Sequence, residues 1–272
     1  MRRLIGDSVD PLLPDLQTCA MLQLTGVDVT LSGLKILDDV TLHVPAGSIA
    51  GLIGPNGAGK TTAFNVVSGF LRADAGTILF KGHSINRVKT HQLSKLGIAR
   101  TLQAVGLFPT LTVLDNVMLG ASSQLKTGII SDALALPWVD KEQFAIQERA
   151  RTLLNDFGLG DVVDLLPTQL PYPIKKKVAL ARALISDPDL LLLDEPAGGI
   201  GVEDIQELAA LLKSLVPDTT VLLVEHHMEF VMDVCDLIWV LDAGKIIASG
   251  TPSEIRMNQD VLAAYLGEPE AH

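Results

Sequence analysis

A glycine-rich segment at residues 54–62, GPNGAGKTT, carries the most specific chemistry in the sequence. It matches the pattern GxxxxGK[ST] through Gly54, Gly59, Lys60 and Thr61. Glycines let the backbone wrap closely around phosphates, so that amide N–H groups and the start of the following helix face the anion. Lys60 would contact the β- and γ-phosphates, and the Thr61 hydroxyl would bind Mg²⁺. The predicted phosphate-binding residues are Gly54, Pro55, Asn56, Gly57, Ala58, Gly59, Lys60, Thr61 and Thr62.

A second pattern is LLLLDEP at residues 190–196, where four leucines predict a buried strand that ends in two carboxylates. Asp194 would hold Mg²⁺ through water. Glu195 could orient and deprotonate a water that attacks the γ-phosphate, which is general-base chemistry. An Asp-Glu pair after an apolar strand is by itself usually a solvated strand end. The glycine-rich loop upstream favours the catalytic interpretation.

Two further polar residues follow predicted strands. His226 comes after TTVLLVE and could reach a γ-phosphate, although a histidine on the surface is the simpler alternative. Gln103 closes a predicted strand at 98–102, and a glutamine alone indicates almost nothing. Neither residue carries a functional prediction without the two motifs above.

The elements around these residues alternate in the order of an α/β nucleotide-binding core. β-prone segments at 22–29 and 40–44 come first, and a strand at 48–53 leads into the glycine-rich loop. Helix-forming stretches such as 141–157 dominate between about 103 and 180, which predicts a helical insertion. The other predicted elements are helices at 61–68, 176–185 and 203–215, strands at 77–80, 190–193 and 220–224, and a hairpin at 237–249 that turns at 242–245.

The composition excludes several classes of protein. With 48% hydrophobic and 19% charged residues the chain is globular, and a net charge of −11 disfavours a nucleic-acid partner. Cys19 and Cys235 lie far apart without metal-ligating neighbours, so neither a disulfide framework nor a zinc site is expected. Gly6 and Asp7 interrupt the apolar run that an export signal needs. Since no segment approaches the ~20 apolar residues of a membrane span, any membrane association is expected to be peripheral.

Taken together, the motifs resemble those of the ATP-binding cassette (ABC) ATPases over residues 22–266. The segments GIARTLQAVGLFPTLTVLDNVMLG, DPDLLLLDEPAGG and VLLVEHHMEFVMDVCDLIWVLDAGKIIASGTPSEI resemble the ATP-binding subunit of branched-chain amino acid importers. The resemblance implies an α/β fold, a P-loop NTPase core of ABC type with an antiparallel β portion. It further implies one domain at 21–272 with a helical subdomain at about 103–180, preceded by an N-terminal extension at 1–20.

The same resemblance implies an activity and partners. ATP and Mg²⁺ would be the cofactors, and ATP hydrolysis would drive import of amino acids or similar small polar solutes. The chain would sit peripherally at the cytoplasmic face of the cell membrane, on transmembrane permease subunits. By resemblance Gln103 couples nucleotide state to those subunits, and His226 senses the γ-phosphate because EHHM stands where the family has EHDM. The predicted catalytic residues are therefore Glu195, His226 and Gln103, and the predicted metal-binding residues are Thr61, Gln103 and Asp194.

The signature segment departs from the family pattern. Where the family has LSYGQ or LSGGQ, residues 170–174 read LPYPI. In the family this segment offers a serine hydroxyl and backbone N–H groups to the nucleotide of the other subunit, but Pro171 has no hydroxyl and Pro173 has no N–H. What remains is the N-terminus of the next helix with lysines at 175–177. These lysines either meet the phosphate or form a solvated helix start.

Two smaller departures accompany it. Leu31 stands near the position where an aromatic ring usually stacks on adenine, and Gly201 stands near an expected Asn or Asp. The departures favour a heterodimer with a second ABC ATPase subunit over a homodimer, with weak hydrolysis by the isolated chain. They leave open a regulatory subunit that senses nucleotide with little turnover of its own. A soluble ABC ATPase acting on ribosomes or DNA is disfavoured by the single cassette and the acidic charge.

Overall fold

The computed structural model describes residues 20–101, 105–122 and 137–266. These residues form two β-sheets and a set of helices. The strands are β1 (Ala20–Leu31), β2 (Leu34–Pro45), β3 (Ile49–Ile53), β4 (Ala75–Phe80), β5 (His83–Ser84), β6 (Ile98–Arg100), β7 (Leu190–Asp194), β8 (Thr220–Val224), β9 (Leu237–Asp242) and β10 (Lys245–Gly250). The α-helices of the described ranges are α1 (Lys60–Val67), α2 (Thr90–Leu93), α3 (Val113–Leu119), α4 (Pro137–Asp156), α5 (Tyr172–Leu184), α6 (Val202–Leu215), α7 (Met228–Val234), α8 (Pro252–Met257) and α9 (Gln259–Leu266).

The larger sheet has the order β10-β9-β3-β8-β7-β6, and its neighbours are parallel except for the β9-β10 hairpin. In its register Gly51 of β3 lies opposite Leu223 of β8 and Ile238 of β9. Parallel strands end at the same edge of a sheet. The chain segments that follow β3, β7 and β8 therefore meet at one edge, where ligands bind in open α/β sheets.

Both faces of this sheet are buried, which explains its apolar strands. In β7, Leu191 and Leu193 pack in a core with the helices, whereas Leu190 and Leu192 pack in a second core with the smaller sheet. All five residues of β7 are buried, including Asp194. The prediction of a buried strand from the leucine run is confirmed.

The smaller sheet is antiparallel, in the order β2-β1-β4-β5. Leu22 of β1 lies opposite Val44 of β2 and Phe80 of β4, and all three pack in one core with Leu52 of β3 and Phe64 of α1. The structure confirms the predicted β portion and extends it. β1 begins at Ala20, one residue before the predicted start of the domain.

Helices α3, α4 and α5 lie between β6 and β7 in the chain, and α3 packs against both of the others. The loop before α3 is held by the fully buried Asn116, whose Nδ2 donates to the carbonyls of Phe108, Leu111 and Thr112. The Phe108 N–H donates to Asn116 Oδ1 in return, at 2.8 Å. These helices confirm the helical character predicted for this stretch.

Two boundaries differ from the sequence-based expectations. α5 begins at Tyr172 instead of 176, because Pro173 is tolerated in the first turn of a helix, where its missing N–H has no intrahelical acceptor. The described part of β6 ends at Arg100, and Gln103 lies outside the described residues. The predicted hairpin turn is confirmed, with Ala243 and Gly244 at φ 43° and 82°.

Within the described ranges, no helix has the length and apolar character needed to cross a membrane.

Candidate functional site

The glycine-rich loop connects the end of β3 to the start of α1, as its sequence predicts. Gly54 has φ 148°, and a Cβ at this position would lie 1.9 Å from the Leu241 carbonyl oxygen. Gly59 has φ 105°, and its Cβ would lie 2.9 Å from the Ile36 carbonyl oxygen. Both positions therefore require glycine on conformational and steric grounds.

Lys60 is the first residue of α1, and its ammonium folds back over the loop. Its Nζ donates to the carbonyls of Gly54 at 2.6 Å and Pro55 at 2.7 Å. Gly59, the N-cap residue, supplies no side-chain cap to the first turn of α1. Thr61 is exposed in that turn. A helix start with this positive end, a lysine and a hydroxyl suits a phosphate ligand.

Asp194 and Glu195 lie at the end of β7, in unlike surroundings. The Asp194 side chain is 4% exposed, and its Oδ2 accepts from Nη2 of Arg100 at 3.0 Å. Burial raises the pKa of the Asp194 carboxyl, and the bond from Arg100 opposes that rise. Glu195 follows in the left-handed backbone region at φ 48°, held there by a bond from its N–H to the Val224 carbonyl. Such a backbone is typical of functional sites.

Glu225 organises the adjacent loops, and it was not among the predicted site residues. Its fully buried carboxylate accepts from the N–H of Ala197 at 2.7 Å, His226 at 2.8 Å and His227 at 3.1 Å. It therefore joins the loop after β7 to the loop after β8. A carboxylate directly after a strand as apolar as TVLLV was the available signal, because such a charge needs buried partners.

His226 lies in the loop that follows β8, next to the end of β7. Its side chain is 53% exposed, and its Nδ1 lies 3.7 Å from Glu225 Oε2. The His227 ring stands 5.0 Å away, centroid to centroid. The sheet thus brings His226 to the edge shared by the glycine-rich loop, Asp194 and Glu195. Its role toward a γ-phosphate stays a prediction, as does that of Gln103.

Lys176 of α5 is not the solvated lysine that one of the two sequence-based alternatives describes, and its contact with a phosphate stays a prediction. Its half-buried Nζ donates to the carbonyls of Glu195 at 3.0 Å, Pro196 at 2.9 Å and Gly198. Burial lowers the pKa of this ammonium, and the charges of Glu225 and Glu195 oppose that shift. Lys176 thus ties α5 to the loop that carries Glu195.

The departures from the family pattern occupy defined positions. Pro171 is the N-cap of α5 and gives it no side-chain cap, while Pro173 lies in its first turn. Leu31 ends β1 and is 40% exposed. Gly201 is the N-cap of α6, again without a side-chain cap. The start of α5 therefore presents neither a capping hydroxyl nor an N–H at residue 173.

The oxygen donors at this edge suit Mg²⁺. The predicted ligands with described positions are the Thr61 hydroxyl at the start of α1 and the Asp194 carboxylate, and Arg100 bridges the two elements by binding both Asn65 of α1 and Asp194. Among the described residues no group of three or more His, Cys, Asp or Glu could hold a metal ion. Few protein ligands are expected for Mg²⁺, which also uses phosphate oxygens and water.

A glycine-rich loop between a buried parallel strand and a helix beginning with lysine, beside an Asp-Glu pair at a second strand end, defines a P-loop nucleoside triphosphatase. The family model described as "ABC transporter" matches residues 37–198, and one described as "Branched-chain amino acid ATP-binding cassette transporter" matches 245–271. The chain belongs to the ABC transporter family, as an ATP-binding, ATP-hydrolysing subunit. Subunits of this kind work with transmembrane permease subunits.

Comparisons with individual proteins support the same family. The chain is 38% identical over 250 residues to the high-affinity branched-chain amino acid transport ATP-binding protein LivG of Escherichia coli (strain K12), covering 91% of this chain and 98% of LivG. It is 34% identical over 237 residues to the lipopolysaccharide export system ATP-binding protein LptB of Haemophilus influenzae, covering 86% and 92%. A crystal structure of a nucleotide-free ATP-binding cassette from an ABC transporter superposes with a TM-score of 0.80 at 28% identity, covering 92% and 100%.

Proposed function

We propose that this chain hydrolyses Mg·ATP as one of two unlike ATP-binding subunits of an importer for branched-chain amino acids or similar small polar solutes. It would act as a peripheral subunit at the cytoplasmic face of the membrane. The observation that carries the proposal is an asymmetry within the chain. The loops after β3, β7 and β8 keep the residues that we propose to face the phosphates, whereas the start of α5 lacks the serine hydroxyl and the N–H at residue 173.

The residues divide the work as follows. Lys60 and the N–H groups at the start of α1 would bind the phosphates, Thr61 would supply an oxygen ligand for Mg²⁺, and Asp194 would hold Mg²⁺ through water. When bound, Mg²⁺ neutralises charge on the β- and γ-phosphates. Glu195 accepts the proton of the attacking water. Lys176 and Glu225 hold the loop of Glu195 from two sides. His226 donates toward the γ-phosphate.

The cargo is proposed by similarity. The strongest support is LivG, whose sequence this chain matches over nearly its whole length, together with the C-terminal family model. The similarity to LptB, an export protein, is lower and covers less of both chains. An ATP-binding subunit does not touch the cargo, so the permease partner decides which solute moves.

The heterodimer follows from the geometry that the family resemblance implies. In an ABC dimer each nucleotide lies between the glycine-rich loop of one subunit and the signature segment of the other. In a homodimer both nucleotides would face Pro171 and Pro173. Losing even one preorganised donor costs about 100-fold or more in rate. A partner with an intact signature would complete the site built on Lys60, Asp194 and Glu195.

Turnover measurements test the heterodimer. We expect the isolated chain to hydrolyse ATP far more slowly than about 1 per second at high protein concentration. Pro171→Ser combined with Pro173→Gly should raise that rate about 100-fold, because it returns a hydroxyl and an N–H. Pro252→Ser is the matched control, since Pro252 also lies in the first turn of a helix but outside the signature segment. Wild-type turnover near 1 per second, or no gain in the folded double variant, would overturn the proposal.

A second candidate function, nucleotide sensing with little turnover of its own, is favoured by the same two prolines. The two candidates differ in the assembled complex. Full ATP turnover with the permease and the second ATP-binding subunit supports the importer. Nucleotide binding without turnover in a complex that contains an intact partner would favour the sensor.

A groove beside the site supports docking on a permease. It is lined by Phe70 and Leu119, by Phe108 of the loop before α3, and by Arg100 and Arg182. The Phe70 and Phe108 side chains are 57% and 54% exposed. Two large exposed rings in one groove are typical of an interaction surface. The groove also lies beside β6, the strand that leads toward Gln103.

A further inference from the structure

We propose that Arg100 is a positioning residue that connects the groove to the Mg²⁺ site, by holding the Asp194 carboxylate on one side and an exposed groove ring on the other. The metal-site half of the proposal depends on this chain alone. The groove half rests on the proposed function, in which a permease segment occupies the groove.

The guanidinium of Arg100 binds three side chains that belong to two elements, α1 and β7. Its Nη2 donates to Asp194 Oδ2 at 3.0 Å. Its Nη1 donates to Asn65 Oδ1 at 2.9 Å and to the Ser68 hydroxyl. Asn65 lies in α1 and Ser68 is its C-cap, so the bonds join the helix that begins with Lys60 to the strand that ends in Asp194. A planar fork with fixed donor directions orients a carboxylate in a way that a point charge cannot.

Because Arg100 and Asp194 are both buried, the orientation that Arg100 gives the Asp194 carboxylate matters for the site. The side chains of Arg100 and Asp194 are 13% and 4% exposed, respectively. A carboxylate so far from solvent is costly without a cation, and removing one partner of a buried pair leaves the other uncompensated. Arg100 therefore decides both the charge balance and the direction of the carboxylate that Mg²⁺ would use. Residues that orient a metal ligand in this way typically change metal affinity 10–100-fold, roughly, when mutated.

Arg100 also lies over two aromatic rings. Its Cζ lies 4.7 Å from the ring centroid of Phe64, which is buried, and 5.0 Å from that of Phe70, which is 57% exposed. Phe70 and Arg100 both line the groove. A segment that packs on the exposed ring of Phe70 therefore acts directly on the cation that orients Asp194.

Arg100 also has a donor left over. Its buried Nε has no hydrogen-bond partner within the part of the chain that the structure describes. A buried N–H without an acceptor is costly, and an acceptor brought close to it would be favoured. A carbonyl or carboxylate from a groove-bound segment has this chemistry.

Arg182 offers a matched comparison in the same groove. It also lines the groove and is largely withdrawn from solvent, but its guanidinium donates to the carbonyls of Val105 and Gly106. No bond joins it to Asp194. A variant of Arg182 therefore removes a groove arginine while leaving the metal-site carboxylate in place.

The first arm of the test measures ATP affinity of the full-length chain by calorimetry, in excess EDTA and in excess Mg²⁺, with thermal melting to verify folding. Arg100→Met should keep its affinity in EDTA within about 2-fold and lose roughly 10-fold or more of the gain from Mg²⁺. Arg100→Lys should lose part of the gain, because it keeps the charge without the fork. Arg182→Met should keep both affinities. An undiminished Mg²⁺ gain in Arg100→Met, or an equal loss in Arg182→Met, overturns the assignment. If Arg100→Met does not fold, an undiminished gain in Arg100→Lys overturns it.

The second arm repeats the measurement in the assembled complex with the permease. Assembly should change the Mg²⁺-dependent gain of the wild type, and Phe70→Leu should abolish that change, since leucine fills the groove without a π face. An unchanged response in Phe70→Leu overturns the connection to the groove. The first arm measures the isolated chain, so its result does not depend on whether the proposed heterodimer or the proposed cargo is correct. The proposal for Arg100 and the proposed function can therefore be refuted separately.

Discussion

Lys60 is the residue whose chemistry follows most directly from local sequence. It begins a helix without a side-chain N-cap, and its ammonium covers carbonyls of the loop that would surround the phosphates. Charge-assisted hydrogen bonds are the strong ones in such a site. A bound phosphate would compete with these neutral carbonyls for the Lys60 ammonium, because a charged acceptor forms the stronger hydrogen bond.

Replacement of Lys60 tests this loop. In Lys60→Ala we expect ATP affinity to fall by ~2 kcal/mol, or about 30-fold, because the charge that meets the β- and γ-phosphates is lost. Isothermal titration calorimetry measures the change. Lys213→Ala is the control, since Lys213 pairs with Asp233 on the surface. An unaltered affinity in Lys60→Ala would exclude the loop as the binding site.

The proposed role of Glu195 predicts an effect on the rate of ATP hydrolysis and none on ATP binding. In the assembled complex, Glu195→Gln should reduce turnover by about 100-fold or more while ATP still binds, because the amide cannot accept the proton of the attacking water. Steady-state phosphate release and nucleotide binding separate the two effects. The exposed Glu148 of α4 serves as a control through Glu148→Gln. Near-normal turnover in Glu195→Gln would assign the base to another group.

Among the secondary-structure elements, β3 and α7 pack closely at a glycine. A Cβ added to Gly51 would lie 2.9 Å from Cys235 Sγ and 3.3 Å from Val231 Cγ1. Cys235 is the C-cap of α7, and burial raises the pKa of its thiol, consistent with a residue that packs. Because β3 leads into the glycine-rich loop, this contact sets the position of the loop relative to α7.

The close contact between Gly51 and Cys235 predicts how substitutions at these positions change the stability of the fold. Gly51→Ala should lower the free energy of unfolding by about 1–3 kcal/mol through overpacking. Cys235→Ala removes the sulfur that the new methyl group would meet, so the double variant should recover part of that loss. Urea denaturation of the two single variants and the double variant forms a thermodynamic cycle. Additive effects in this cycle would show that the two positions do not contact each other.

Over the whole molecule, the charge is distributed unevenly. The net charge is −11, yet residues 75–114 contain no Asp or Glu. Arg87, Lys89 and Lys95 are exposed in this stretch, which also contributes Phe108 and Arg100 to the groove. Part of the groove therefore comes from a stretch of the chain that has no acidic residue, although the protein as a whole is acidic.

Membrane attachment tests this groove. The wild-type chain should remain in the supernatant when expressed alone and sediment with membranes when its permease is co-expressed. Phe70→Glu with Phe108→Glu should abolish sedimentation by placing two charges in the apolar groove. Phe144→Glu changes a 64% exposed ring on α4 outside the groove and should sediment normally. A wild-type chain recovered only in the supernatant despite the permease would contradict the proposed role.

Much of the fold and part of the site could be predicted because their causes are local. Gly54 and Gly59 adopt backbone angles that favour glycine, and the leucines of β7 are apolar on both faces of one strand. The hairpin turn at Ala243 and Gly244 has the same kind of cause. The start of α5 was predicted four residues late, because prolines at 171 and 173 are compatible both with a loop and with the first turn of a helix.

The amino-acid sequence by itself determined which residues end the strands and which backbone positions require glycine, since both follow from neighbours in the chain. Only the tertiary structure decided the partners of the buried charges. Arg100 meets Asp194 across 94 positions, and Glu225 meets Ala197 across 28. The strand order β3-β8-β7-β6 brings these residues together, and a buried charge must bind whatever donors or acceptors that order places beside it. No local pattern contains that information, because the cost of burial is imposed by elements distant in the chain.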